Sequence, residues 1–147
     1  MQKKGIAVII VLILGMVLAS SLHAVGPWQA GTYTAEADEF DRGWKNTVRI
    51  EVLNGYIVDA HFDALSEEGE KPKYLASVQG DYGMVAQSNA QARWYVQADR
   101  AIAALLEHQD LEFVTRQSSR TDALSGVSIT IMPHFELVAE ALEGAER

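Results

Sequence analysis

Asn54-Gly55 is the feature that most narrows what this chain can become. Thr47-Val48-Arg49-Ile50-Glu51-Val52 alternates strictly before it, and Tyr56-Ile57-Val58-Asp59-Ala60-His61-Phe62-Asp63 resumes an extended pattern after it. A two-residue hairpin turn needs positive φ at both central positions, which asparagine and glycine supply, so this pair between two such runs predicts a β-hairpin. Gly31-Thr32-Tyr33-Thr34-Ala35-Glu36-Ala37 sets Tyr33 and Ala35 against Thr and Glu, and reads as a further half-buried strand. Asp38 to Asn46 reads as a polar loop carrying Phe40 and Trp44, and Ser66 to Pro72 as a charged loop.

The second half of the chain changes period. From about Asn89, Trp94, Tyr95, Ala98, Ala101, Ile102, Leu105 and Leu106 recur at helical spacings. His108-Gln109-Asp110 ends that helix without a glycine cap, and Leu111 to Val114 suits a short strand. Pro133 stands where a final helix should begin; Phe135, Leu137, Val138, Ala141 and Leu142 form its apolar stripe, and Gly144 closes it. Strands first and helices afterwards indicate an α+β fold: a small single domain with an antiparallel hairpin or sheet packed on two helices.

The N-terminus follows different rules. Gln2-Lys3-Lys4 is a short basic region, Ile6 to Ala19 is an unbroken run of apolar residues and glycine, and Ser20 to Ala24 is small and polar. That order is the order of a secretory signal. The uncharged stretch Gly5 to Ser21 is 17 residues, the low end of what can span a bilayer, so cleavage near Ala24 and retention as an anchor helix both stand open. The division expected is a signal or anchor at 1–24 and one domain at 25–147, extracytoplasmic and either secreted or held at the membrane.

Composition removes whole classes of function. The chain has no cysteine, so disulfides, thiolate metal centres, a cysteine nucleophile and a lipid-modified cysteine are all excluded. Twelve Lys plus Arg face twenty Asp plus Glu, and the imbalance grows to −10 once residues 1–24 are set aside. Nucleic acid is therefore not an expected partner. His23, His61, His108 and His134 lack metal-ligand spacing and read as surface or capping residues, so no metal site is expected. Glu67, Glu68 and Glu70 read as solvated surface charge. Trp28, Trp44 and Trp94 suit core packing, with stacking on a planar ligand as the alternative. No catalytic dyad or triad stands out.

One segment carries more chemistry. Asp122-Ala123-Leu124-Ser125-Gly126-Val127-Ser128-Ile129-Thr130 sets three hydroxyls around one glycine, with an acid upstream. Such a turn can hold a phosphate through hydroxyls and exposed amides, or satisfy itself locally. The segment resembles the Asp-x-x-Ser-Gly-Ala-Thr motif of the FMN-binding domain family, which includes flavin-carrying subunits of sodium-pumping and related membrane redox complexes. Gly31-Thr32-Tyr33, the Asn-Gly hairpin with Gly55-Tyr56-Ile57-Val58-Asp59, the motif, and a helix with Phe135 and Leu137 occur in the family's order. Asp81-Tyr82-Gly83-Met84 resembles a subgroup of small membrane-anchored envelope proteins. Val127 stands where the family has alanine, and Ser128 where it has threonine.

The resemblance implies a set of expectations. FMN would be joined by a flavin transferase, as a phosphoester, to the hydroxyl of Ser128. Asp122, Ser125, Gly126, Val127 and Thr130 would complete the cofactor-binding turn. Arg116 and Arg120 lie just upstream and can offset phosphate charge. The protein would be an electron carrier of the cell envelope rather than a substrate-converting enzyme, exchanging electrons with a membrane donor or acceptor. The alternative is an envelope ligand-binding or interaction protein that keeps the fold without flavin, using the Trp44 and Trp94 region to grip a partner.

Overall fold

The computed structural model describes residues 26–83, 92–111, 127 and 129–147. Strand β1 (Gly31–Glu36), β2 (Trp44–Leu53) and β3 (Tyr56–Ser66) form an antiparallel sheet in the order β1-β2-β3. Asn54 at φ 53° and Gly55 at φ 80° make the expected turn. Val48 faces Phe62, Ile50 faces Ala60 and Val52 faces Ile57, which puts all six on one buried face. Glu51 faces Asp59 but Val52 faces Ile57, so Val58 is left over as a bulge two pairs from the turn.

Helices α1 (Lys73–Gln79), α2 (Trp94–His108) and α3 (Met132–Ala141) complete the described architecture. Helix α3 lies across β1 and β2, α2 runs along β3, and α1 packs on β3 and α2. Phe135, Val138 and Ile131 from the α3 region meet Phe62 and Ile50 in the core with almost no exposure. The α+β class is as the sequence implies, with three helices among the described residues where two were expected. Helix α1 has too few apolar positions to announce itself by periodicity.

Several boundaries also differ. β2 begins at Trp44, inside the expected loop, because Arg42 (φ 50°) and Gly43 (φ 83°) make a second tight turn that pairs Asp41 with Trp44. Helix α2 begins at Trp94; Asn89, where the helical pattern was expected to start, lies outside the described residues. Leu111 is helical rather than extended, and 112–114 lie outside the described residues. Gln109 ends α2 in the left-handed region (φ 54°), a conformation glycine normally takes. Its side chain explains the choice: Oε1 accepts from the Ile57 N–H and Nε2 donates to the Ile57 carbonyl, both at 2.8 Å. Among the described residues β3 is a sheet edge, and these bonds satisfy part of it.

The chain enters and leaves at the hairpin end of the sheet. Gly26 N–H donates to the Asn54 carbonyl at 3.1 Å, Gln29 N–H to the Ala145 carbonyl, and Arg147 N–H to the Pro27 carbonyl. Among the described residues no helix is long and apolar enough to cross a membrane. The segment 1–24, read as signal or anchor, lies outside them.

Candidate functional site

The opposite end of the sheet gathers residues that the sequence keeps apart. Asp63 on β3 is the node. Its Oδ1 accepts from the N–H of Ala64 and of Tyr74, each at 2.8 Å. Helix α1 follows Pro72 and has no cap of its own, so this strand carboxylate satisfies its first turn from outside. Lys73 is thereby fixed at the first helical position, half-buried beneath the end of β2.

Three aromatic rings surround the Lys73 ammonium. Nζ lies 5.2 Å from the ring centre of Trp44, 4.8 Å from Tyr82 and 5.4 Å from Trp94. Trp44 and Tyr82 meet edge to face at 5.8 Å. Lys73 has no ion-pair partner among the described residues, and burial lowers its pKa to about 8, against a smaller opposing pull from Asp41. The ring faces favour the charged form, because a cation over a π-face is held electrostatically.

His134 forms the floor beside this cluster. It sits on the first turn of α3, stacked on Phe62 at 5.3 Å and tilted against Trp94 at 5.8 Å. Nε2 donates to the Asp63 carbonyl at 3.0 Å, while Nδ1 is buried with no hydrogen-bond partner. That bond defines the neutral tautomer and leaves Nδ1 as an acceptor. Burial pushes the His134 pKa down to about 4, and the positive charge of Lys73 pushes the same way. The surface or capping role expected of His134 is therefore wrong: the ring is 2% exposed, because the apolar stripe of α3 begins with it.

His61 and Asp63 titrate in opposite directions. The hydrogen bond to Asp63 raises the His61 pKa more than burial lowers it. Burial pushes Asp63 up, but His61 and the two backbone N–H donors outweigh it and hold it below the usual carboxylate value. Asp63 is thus an ionised anchor for α1.

Buried Gln97 joins this cluster to the far end of the sequence motif. Its Oε1 accepts from the Ile129 N–H at 3.0 Å, and its Nε2 donates to the Ala92 carbonyl at 2.8 Å. Ser77 of α1 accepts from the Tyr95 N–H at 3.1 Å and so caps α2. Trp94 and Gln97 are neighbours on the first turn of α2, so Ile129 runs beside the ring cluster and leads directly to His134.

The motif residues fare differently. Val127 is buried in the core with Ile129 and Ile131, and Thr130 is exposed. Asp122, Ser125, Gly126 and Ser128 lie outside the described residues, as do Arg116 and Arg120. Trp44 and Trp94 come together, whereas Trp28 lies at the other end of the domain, bridged to Glu146. The sequence reading missed Lys73, Asp63, Gln97 and the role of His134. The sequence marks Trp44 and Trp94 as a region that could grip a partner, and Tyr82 has a signal within Asp81-Tyr82-Gly83-Met84.

No family model matches the chain, and no curated protein matches it. Two solved structures are similar. A Clostridium thermocellum protein determined in solution by NMR as a structural-genomics target is 43% identical, with TM-score 0.60, over 81% of this chain and 93% of that one. A Clostridium perfringens protein determined by crystallography is 23% identical, with TM-score 0.61, over 80% of this chain and 88% of that one. The second likeness establishes a shared fold.

Proposed function

The chain belongs to the same family as the Clostridium thermocellum protein, and we propose that this member is an FMN-binding electron carrier outside the cytoplasm. In this reading it is flavinylated on Ser128, and residues 1–24 export it or tether it to the membrane. The observation that supports it is the cluster of Trp44, Tyr82 and Trp94 around Lys73, with the buried, unpartnered Nδ1 of His134 beside it. Gln97, on the same turn of α2 as Trp94, accepts from the N–H of Ile129, near the end of the segment resembling the flavin motif.

The residues present suit a flavin ring. FMN, when bound, supplies one- and two-electron redox chemistry that no side chain here possesses. Trp44 and Tyr82, both part-exposed, offer flat apolar faces, and buried Trp94 backs them. His134 Nδ1 offers an acceptor for a ring N–H, and Lys73 offers a cation for a ring carbonyl or for charge gained on reduction. Asp63 and Gln97 hold these groups in place rather than touching the ring. The partners of this reading are a flavin transferase for maturation and a membrane electron donor or acceptor.

Co-expression with a flavin transferase, followed by in-gel flavin fluorescence, tests it. A fluorescent band that disappears in Ser128→Ala is the expected result. Fluorescence that survives Ser128→Ala removes Ser128 as the attachment point, and flavin recovered only after denaturation indicates non-covalent binding. Absence of flavin altogether favours the ligand-binding alternative.

A further inference from the structure

Gly26 and Gly55 meet backbone to backbone, so closely that a Cβ on Gly26 would fall 1.9 Å from the Gly55 carbonyl oxygen. The chain therefore enters the domain at the tip of the β2–β3 hairpin. Three large apolar side chains are exposed there: Leu53 at 57%, Val58 at 48% and Tyr56 at 38%. Leu53 and Tyr56 face each other across the last pair of the ladder, and the bulge turns Val58 out beside them.

What covers this tip follows from chain length. The uncharged apolar run ends at Ser21, five residues before Gly26. Five residues, fully extended, reach at most about 18 Å. If the run is retained in a bilayer, the tip cannot stand farther than that from the headgroups.

The charges around the tip are compatible with that position. Glu51 and Asp59 follow the apolar residues on the same face, and Arg49 pairs with both, at 3.8 Å and 2.9 Å. A single arginine thus offsets part of the acidic collar nearest the tip. Tyrosine and short aliphatic residues are the side chains that favour the zone between headgroups and acyl chains.

We propose that the hairpin tip formed by Leu53, Tyr56 and Val58 rests in the lipid–water interface and stands the sheet upright on the membrane. The occupant of this apolar patch is the bilayer surface beside the chain's own anchor. Trp44 and Ser66 close the other end of the ladder, nine residues along β2, about 30 Å away at the rise of an extended strand. Lys73 and its aromatic rings therefore face away from the membrane, toward soluble or projecting partners. This inference rests on the tether reading of residues 1–24 and is independent of flavin.

The absence of cysteine makes the test clean, because each variant carries a single labelling site. The full chain is placed in phosphatidylcholine vesicles with an environment-sensitive fluorophore at Leu53→Cys, Val58→Cys or Leu75→Cys. Leu75 is an exposed apolar residue of α1 at the other end, 43% exposed. Acyl-chain bromination should quench the probes at 53 and 58 about twofold or more relative to 75, with blue-shifted emission. Equal quenching at all three sites, or none at 53 and 58, overturns the proposal. Shielding at 53 and 58 without lipid quenching assigns the patch to a second copy or a protein partner instead, and also overturns it. A chain that does not enter the vesicles removes the tether reading as well, a failure distinct from that of the tip.

Discussion

The Lys73 ammonium lies 4.8 Å from the ring centre of Tyr82, and the two come from opposite ends of helix α1 and its following turn. Lys73 starts the helix under Asp63, and Tyr82 returns after Gly80 reverses the chain at φ 87°. A short helix thus closes one side of the aromatic cluster by bringing its own two flanks together.

Lys73 should give the folded protein an alkaline signature. Its pKa is about 8 in the folded state against an ordinary 10.5, so between these values the unfolded chain holds the extra proton. Stability therefore rises with pH across that window and carries the full burial penalty below it. Relative to Lys73→Met, the wild type should gain about 1–3 kcal/mol from pH 8 to 10.5, read by urea denaturation. A constant difference between the two proteins would show that Lys73 titrates normally.

His134 should give an acid signature. It is neutral when folded, with a pKa of about 4 against 6.5, so the unfolded chain binds more protons between those values. Stability should fall by about 3 kcal/mol as pH drops from 6.5 to 4 and then stop responding to this residue. His61, raised by Asp63, contributes with the opposite sign: its stabilisation is present below 6.5 and fades as pH rises. His134→Gln should flatten the slope in that window, and a slope unchanged in the variant would assign it elsewhere.

Gln109 should matter for its side chain rather than for its backbone. Gln109→Ala removes both bonds to Ile57 and leaves a strand-edge N–H and carbonyl without them. A loss of about 1–3 kcal/mol is expected by thermal or urea unfolding. Gln109→Gly relieves the left-handed conformation and should lose less than alanine does.

Gly55 should tolerate no side chain. A Cβ there would meet the Gly26 carbonyl oxygen at 2.2 Å, and the residue sits at φ 80°. Gly55→Ala should destabilise by roughly 2 kcal/mol or more, because both the strain and the contact fall on backbone. Amide exchange at Gly26 should accelerate in the same variant as its bond to the Asn54 carbonyl is lost.

If the domain carries flavin, Lys73→Met should shift its midpoint without abolishing attachment. Loss of a nearby cation disfavours added electrons, and losing about 1.4 kcal/mol of that pairing lowers a two-electron potential by about 30 mV. Spectroelectrochemistry of the flavinylated variant measures this, and an unmoved potential would place the ring away from Lys73.

Local rules made much of this fold legible without coordinates. Asn54-Gly55 announced the turn, alternation from Thr47 to Asp63 assigned the buried face, and Pro133 marked the start of α3. These are properties of neighbouring residues: turn φ angles, side-chain period and the missing N–H of proline. Tertiary structure decided the caps, since Asp63 and Ser77 serve helices to which they do not belong. It also decided the candidate site. Trp44, Lys73, Tyr82, Trp94 and His134 come from separate segments, and none has a spacing that marks it. Ring contact and shifted ionisation depend on distance and burial, which sequence order does not encode. The sequence alone determined a hairpin-based α+β domain after an apolar N-terminal run; only folding put a lysine among three rings at the end of the sheet opposite Gly26.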